Sequence, residues 1–288
     1  MILLDFSNII VGSIMVASRI PDDERFSEDF IRHLVLNSIR SYRKKYNQKY
    51  GEMVICTDHL SSWRKSYYPF YKAHRQAQRK KQEDKQGVDW SALFTIINKI
   101  TDELEDTFPY KVMRIPHAEG DDVIAVLTKY ANDRLNEPSL IVSSDKDFNQ
   151  LYKYKIVRQY SPMKHQIVKG IDPISFLKEH IIRGDKSDGI PNILSADDCF
   201  AKGTRQKPLA KKKVEMWLNQ KPEDFCTNGV MKHYIRNREL IDFDYIPQPI
   251  VDKITRAFHT PLRGDRRNLL NYFIKHRLKL LIDHIGDF

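Results

Sequence analysis

An open α/β fold on a mostly parallel central sheet flanked by helices, followed by a helical second part, is the architecture this sequence predicts. Three observations carry it: short apolar runs recur through the first half, helical periodicity fills the intervals, and strand-like runs become scarce after about residue 180. The runs are Ile2–Leu4, Met53–Cys56, Lys111–Ile115 and Leu140–Val142, which look like buried parallel strands. Between them Phe30, Leu34, Ile39 and Tyr42, then Leu93, Ile96, Ile97, Ile100 and Leu104, then Val123, Val126, Leu127 and Tyr130 recur at helical spacing. In the second part Gly189-Ile190-Pro191, Lys207-Pro208, Lys221-Pro222 and Pro247-Gln248-Pro249 punctuate helices and loops. No internal repeat occurs.

The 288 residues are long enough for a real core, and 41% hydrophobic against 30% charged residues, with only 11 Gly and 13 Pro, excludes collagen-like and disordered classes. A formal net charge of +10 favours a polyanionic partner, nucleic acid first and an acidic membrane surface second. Three cysteines, Cys56, Cys199 and Cys226, show no CxxC spacing, so neither a disulfide framework nor a thiolate zinc site is expected, and a reducing cytoplasm is. The apolar opening lacks a basic n-region and carries Asp5, so it reads as mature protein from Met1, and no uncharged run is long enough for a membrane span.

Nearly every predicted strand is followed within a few residues by an acid. Ile2–Leu4 runs into Asp5, Met53–Thr57 into Asp58, the strand ending at Ile115 into Glu119-Gly120-Asp121-Asp122, and Leu140–Ser144 into Asp145-Lys146-Asp147. In an open α/β sheet the ligand crevice lies beyond the carboxyl ends of the strands, so acids distant in sequence converge there. Asp185 and Asp188 are placed to close the site. Like charges and desolvation raise the pKa of such carboxyls, so something positive must neutralise them. An all-carboxylate set suits Mg²⁺ or Mn²⁺, and histidine ligation of the zinc kind is not indicated. Two such ions about 3.5–4 Å apart are the usual arrangement for attack of water on a phosphodiester. Taken singly, Glu119, Asp121 and Asp122 are also ordinary helix caps, and Asp145 and Asp147 an ordinary turn. Four acid-bearing strand ends together, and Asp5 directly after a buried run, favour the metal site.

Two stretches are basic. Trp63 to Lys85 holds Arg64, Lys65, Lys72, Arg75, Arg79, Lys80, Lys81 and Lys85 against Glu83 and Asp84, with Tyr67, Tyr68, Phe70 and Tyr71 interleaved. A solvated charged helix is one reading; the aromatic run favours another, in which Tyr71 stacks a base while Lys72 and Arg75 hold phosphate. Lys202, Arg205, Lys207 and Lys211-Lys212-Lys213 form an acid-free stretch suited to the phosphate backbone.

From end to end, LLDFSN at Asp5, ICTD at Asp58, WRKSYYPFYKAHR, AEGDDVIAVL, IVSSDKDFNQL, QYSPM, RGDKSDGIPN and LIDFDYIP resemble the 5′ nucleases of the flap endonuclease type, and among them the ribonucleases H of T-even bacteriophages. The resemblance implies a PIN-like nuclease core over residues 1–182, with a helical arch at about 64–90 that gates single-stranded 5′ ends. It also implies a helical DNA-binding domain over 183–288 containing a helix–three-turn–helix element that grips the duplex backbone. Asp5, Asp58, Glu119, Asp121 and Asp145 would surround a first metal and Asp147, Asp185 and Asp188 a second, partly through water, with Asp122 also in the metal-facing set. Tyr71, Lys72 and Arg75 match the arch residues that engage the scissile region. Lys72, Arg75, Asp121 and Asp145 are then the catalytic groups, and Arg64, Arg79, Lys202, Arg205, Lys207, Lys211 and Lys212 extend the nucleic-acid surface.

Two Mg²⁺ ions, replaceable by Mn²⁺, are the cofactors implied. Relatives also carry a Gly-x-Gly-x-Lys hairpin that holds K⁺; this chain departs from it with Ile193-Leu194-Ser195-Ala196-Asp197, and has Gly189 where Asn is common. The chain begins almost at its first strand, leaving no tail expected to dock a sliding clamp. The implied function is a 5′→3′ exonuclease and flap endonuclease acting on RNA–DNA hybrids, DNA duplexes with nicks and 5′ flaps. It would remove primers in lagging-strand replication, as a monomer in a phage-infected host's cytoplasm, with the replication machinery's single-stranded DNA-binding protein as a further partner. Two other readings share parts of the pattern: a structure-specific DNA-binding protein that no longer cleaves, marked by a missing acid, and a smaller PIN-type ribonuclease, without the arch and helical second part.

Overall fold

A computed structural model describes residues 1–17, 26–76, 79, 89–227 and 229–288. Six strands form one sheet in the order β3-β2-β1-β4-β5-β6. They are β1 (Ile2–Asp5), β2 (Met53–Thr57), β3 (Lys111–Arg114), β4 (Ser139–Val142), β5 (Val157–Ser161) and β6 (Gln166–Ile167). All neighbours pair parallel except β5 and β6, which are antiparallel. The four predicted strands are β1 to β4. β5 and β6 were not foreseen, because Val-Arg-Gln-Tyr-Ser has no continuous apolar run; toward the sheet edge its Gln159 is buried among backbone carbonyls instead.

The pleat sends alternate side chains to opposite faces, and both faces are covered. Ile2, Leu4, Ile55, Leu140 and Val142 join one core with Ile10, Ile31, Val35, Ile39, Ile100 and Leu104 from the helices Phe6–Ala17, Glu28–Tyr50 and Trp90–Thr107. Leu3, Val54, Cys56 and Ile141 join the other, under the helices Gly120–Tyr130 and Gln248–Phe258. Local signals set the helix starts: Ser27 Oγ accepts from Phe30 N (3.3 Å) with Glu28 and Asp29 in the first turn, and Asp89 Oδ1 accepts from Ala92 N (2.9 Å). The helix Phe6–Ala17 follows β1 without a turn, and its almost uniform apolarity hides the helical period.

The region after β6 is helical among the described residues, with a core of Ile181, Ile182, Ile193, Val214, Trp217 and Tyr234. Beyond residue 242 the chain returns to the sheet. Ile246, Ile250 and Ile254 pack on one face, and Leu269, Tyr272, Phe273, Leu278, Leu281 and Phe288 complete the core of the other. Phe273 meets Phe288 with ring centres 5.2 Å apart and Phe108 at 6.1 Å. Among the described residues no helix is long and apolar enough to cross a membrane.

Because β1 lies between β2 and β4, the winding reverses beside it, and the crevice at this switch point opens beyond the ends of β1 and β4. The returning segment makes one prediction. Phe273→Ala empties a site that is 0% exposed and should lower the unfolding free energy by about 3–5 kcal/mol in chemical denaturation; a change near zero would show that this segment is no part of the sheet's core.

Candidate active site

Asp5 ends β1 and is buried; its Oδ1 accepts from Asn8 N (3.0 Å) and its Oδ2 from Ser143 Oγ (2.6 Å). Ser143 Oγ also accepts from Asp145 N (3.0 Å), while Gln159 Nε2 donates to the carbonyls of Ser143 (2.9 Å) and Asp145 (2.6 Å). The ends of β1, β4 and β5 are thereby tied together. Asp145 Oδ1 accepts from Asp147 N (2.9 Å), turning both carboxyls toward one space. Across the crevice Asp58 Oδ1 accepts from Gly120 N (2.7 Å). A Cβ on Gly120 would stand 3.3 Å from that oxygen and 3.4 Å from the Cys56 carbonyl, so glycine lets the helix bearing Asp121 close on the end of β2.

Three of the acids are matched by protein cations. Glu119 accepts from Arg64 Nη1 (3.0 Å) and Tyr71 Oη (2.8 Å) on Oε2 and from Lys72 Nζ (2.7 Å) on Oε1. Asp188 Oδ1 accepts from Arg75 Nη2 (2.7 Å) and lies 3.7 Å from Lys72 Nζ, and its Oδ2 is 2.7 Å from Tyr71 Oη. The one phenolic proton is shared between Glu119 and Asp188. Asp122 Oδ1 lies 2.7 Å from Arg64 Nη2, and its Oδ2 accepts from Trp63 Nε1 and Glu119 N, both at 3.0 Å. Burial pushes the Glu119 carboxyl up, yet Lys72 and Arg64 outweigh it and hold it at about 2. Burial works against the Lys72 ammonium too, and Asp188 with Glu119 keeps it firmly charged. Lys72 sits at φ +54°, uncommon for a residue with a side chain, its N–H donating to the Asp188 carbonyl (2.7 Å).

Four others have no Arg or Lys within ion-pair distance among the described residues. Asp5 is pushed up to about 7 by burial, then by Asp58 and Asp145. Burial, with Asp145 and Asp5, raises Asp121 well above the usual carboxylate range. Asp145 is raised by burial and by Asp188 and Asp185, and Asp147 reaches about 7 through burial and the charges of Asp145 and Asp185, which together exceed the opposing pull of His180. Asp185 behaves otherwise. Burial raises it, but His180 and Ser187 hold it well below its ordinary value, with Ser187 N (2.7 Å) and Oγ (2.6 Å) both donating to Oδ1. Asp147 Oδ1 and His180 Nε2 are buried without a hydrogen-bond partner among the described residues, and ligand atoms of Asp147, His180 and Asp185 lie within 4.8 Å of one another. Hard oxygen donors that are crowded, desolvated and short of protein cations fit a divalent metal.

Some expected roles fall elsewhere. Asp122 is fully buried and turned to Arg64, Trp63 and backbone, away from the metal-facing set, because one step along a helix rotates a side chain by about 100° from Asp121. Arg64, expected at nucleic acid, is 4% exposed, its Nε donating to the Leu240 carbonyl (2.9 Å). Tyr71, expected to stack a base, is 2% exposed and has no free ring face. Arg75 remains accessible, and Arg79 lies with its guanidinium 4.8 Å from the centre of the Phe94 ring. The rest of the predicted arch, residues 77, 78 and 80–88, lies outside the described residues.

Lys202, Arg205, Lys207, Lys211 and Lys212 are exposed. Arg205 and Lys207 line a cleft of about 550 Å³ with Arg183, Lys186 and Thr204. Lys202 pairs with Asp198 at 2.6 Å, and Lys211 is 3.8 Å from Glu215. In the loop Ile193–Asp197, Ser195 Oγ donates to Asn192 Oδ1 (3.0 Å) and accepts from Lys207 N (2.9 Å), and Asp197 pairs with Arg236. Reading the sequence missed His180, Ser143 and Gln159. The available signals were polar residues inside apolar stretches: His180 before Ile181-Ile182, Ser143 after Leu140–Val142, and Gln159 within β5.

Residues 27–179 match the family model described as 5′-3′ exonuclease, N-terminal resolvase-like domain, and residues 173–288 match that described as T4 RNase H, C terminal. The chain is 34% identical over 297 residues to a ribonuclease H of Enterobacteria phage T4, covering 99% of this chain and 95% of that protein. It is 29% identical over 157 residues to the flap endonuclease Xni of Shewanella woodyi, covering 52% and 56%. Among solved structures, the bacteriophage T5 D15 flap endonuclease in a pseudo-enzyme–product complex with DNA and metal ions gives a TM-score of 0.61 at 16% identity, covering 88% of this chain and 96% of that one. The T5 5′-exonuclease with bound zinc gives 0.60 at 17% identity, covering 89% and 97%. These structures share the fold.

Two outcomes follow from the unequal pairing. Arg64→Ala strands Glu119 and Asp122 as buried charges and should cost about 3–5 kcal/mol of stability, whereas exposed Lys207→Ala should cost under about 0.5; equal effects in denaturant titrations would refute the structural role of Arg64. The folded metal-free protein retains protons on Asp5 and Asp147 up to about pH 7 that the unfolded chain loses near 3.8. Stability present at low pH is therefore lost as pH rises through about 7, so metal-free thermal unfolding should occur at a lower temperature at about pH 8 than at about pH 5.5, with a divalent ion reversing the difference. A metal-free midpoint that rises across that interval would contradict the assignment.

Proposed function

The chain belongs to the 5′-3′ exonuclease family and is a 5′ nuclease, a phosphodiester hydrolase, and from that premise we propose a Mg²⁺-dependent 5′→3′ exonuclease and flap endonuclease that removes primers during lagging-strand replication. The observation that carries the metal dependence is the set of Asp5, Asp121, Asp145 and Asp147, whose carboxyls are held above their ordinary range by burial and by one another's charge. RNA–DNA hybrids and 5′-flapped or nicked DNA are the proposed substrates, supported by the ribonuclease H and flap endonuclease names of the relatives and by the basic cleft. Matches across both halves of the chain weigh against a PIN-type ribonuclease.

Divalent ions bound in the crevice would supply Lewis-acid activation of water and neutralise charge on the phosphate. Asp5, Asp121 and Asp145, with Asp58 beside them, would hold one, and Asp147 with Asp185 a second. Glu119 and Asp188 orient Lys72 and Arg75, which would stabilise charge building on the phosphoryl oxygens. Tyr71 positions both carboxylates rather than touching a base. Functionally, residues 1–182 together with Asp185 and Asp188 would hold the chemistry and the rest of 183–288 the duplex, with Arg183, Lys186, Arg205 and Lys207 on the phosphate backbone. Cleavage would leave 5′-phosphates and 3′-hydroxyls.

End-labelled 5′-flap, nicked and RNA-primed duplexes, incubated with Mg²⁺, Mn²⁺ or chelator, test this reading. Asp121→Asn and Asp145→Asn should each lower cleavage more than about a hundredfold while the protein stays folded; near-wild-type turnover in either would remove the site. If about six phosphates are neutralised, log K for duplex binding should fall with log salt at a slope near −5, and a flat dependence would refute the basic cleft.

A further inference from the structure

We propose that His180 is a nitrogen ligand of the second divalent ion, so that this centre is a mixed carboxylate and imidazole site inclined toward transition-metal ions over Mg²⁺. The inference rests on the two-ion reading above. His180 lies in the last turn of the helix Pro173–Arg183 and is 6% exposed. Its Nε2 is 3.2 Å from Asp185 Oδ2, an ion pair when the ring is protonated, and 3.7 Å from Asp147 Oδ1, and neither contact has the direction of a hydrogen bond. Asp147 Oδ1 is unpartnered too. Two buried polar atoms without a directed hydrogen bond, His180 Nε2 and Asp147 Oδ1, therefore lie beside Asp185 Oδ2 in one pocket of donor atoms.

The separations are informative. Donors about 2.0–2.2 Å from a small divalent ion stand about 3 Å apart when adjacent in its coordination shell, so spacings of 3.2 and 3.7 Å need little adjustment to share one ion. The Phe176 ring, centred 5.6 Å from the imidazole, packs against it. Lys146 Nζ is 3.7 Å from Asp185 Oδ2, but its side chain is 61% exposed and free to withdraw into solvent. Imidazole is a softer donor than carboxylate, suited to ions that Mg²⁺ sites ordinarily exclude.

Full-length protein loaded with Mn²⁺, followed by calorimetry and pulsed electron paramagnetic resonance, tests the assignment. Wild type should bind two ions and show ¹⁴N modulation from a directly bound nitrogen, converted to ¹⁵N coupling by labelled histidine. His180→Gln should lose that signal and weaken one Mn²⁺ at least about tenfold, lowering the ratio of Mn²⁺ to Mg²⁺ affinity. Two bound ions without nitrogen coupling in wild type would overturn the role of His180 and leave the two-ion reading standing. Fewer than two bound ions would overturn the two-ion reading and the inference with it. Because absence of nitrogen coupling in wild type refutes the assignment by itself, a variant that fails to fold leaves the proposal falsifiable.

Discussion

A carboxylate buried among other carboxylates has to be paired, protonated or coordinated, and the edge of this sheet gathers Asp5, Asp58, Glu119, Asp121, Asp145, Asp147, Asp185 and Asp188 from segments far apart in the chain. The protein resolves this demand unevenly. On one side Arg64, Lys72 and Arg75 answer Glu119, Asp122 and Asp188. On the other, burial and mutual repulsion keep the pKa values of Asp5, Asp121, Asp145 and Asp147 raised, with no lysine or arginine in ion-pair contact among the described residues. Charge left unbalanced inside an otherwise well-satisfied fold is what makes a cation site.

The balanced side has a mechanical role as well. Arg64 joins the helix Trp63–Tyr67, the first turn of the helix at Gly120 and the carbonyl of Leu240, so the helical region is fastened to the sheet where the chemistry is expected. A buried ion pair is not strong evidence of stabilisation, but one that engages three segments fixes their relative position. Lys72 and Arg75 are then cations on a firm base, already pointed by Glu119 and Asp188.

The parts of this architecture that were legible in the sequence are those where one residue type has one physical meaning. Continuous apolar runs mark β1, β2 and β4 because these inner parallel strands are buried on both faces, while the edge strand β3 carries Lys111 and Arg114 around Val112-Met113; acids just beyond the strands mark the crevice because that edge is where a switch point opens. β5 escaped because Gln159 satisfies its burial through hydrogen bonds, and the helix Phe6–Ala17 because its apolar residues cover nearly every side. Arg64 and Tyr71 read as surface groups: a basic aromatic segment looks the same whether it faces a polyanion or turns inward to meet acids of its own chain. His180 was invisible because what defines it is distance to Asp147 and Asp185, not spacing along the sequence.

The return of residues 243–288 to both sheet faces has a consequence for the order in which the molecule is made. Strands β1 to β5 leave the ribosome long before Ile250, Ile254 and Leu269–Leu281 exist to seal them, so the interactions that finish the core span much of the polypeptide and give it high contact order. A nascent chain therefore carries its acidic cluster on an unfinished scaffold until late in translation. Folding closes over that cluster only when residues 243–288 have been synthesised.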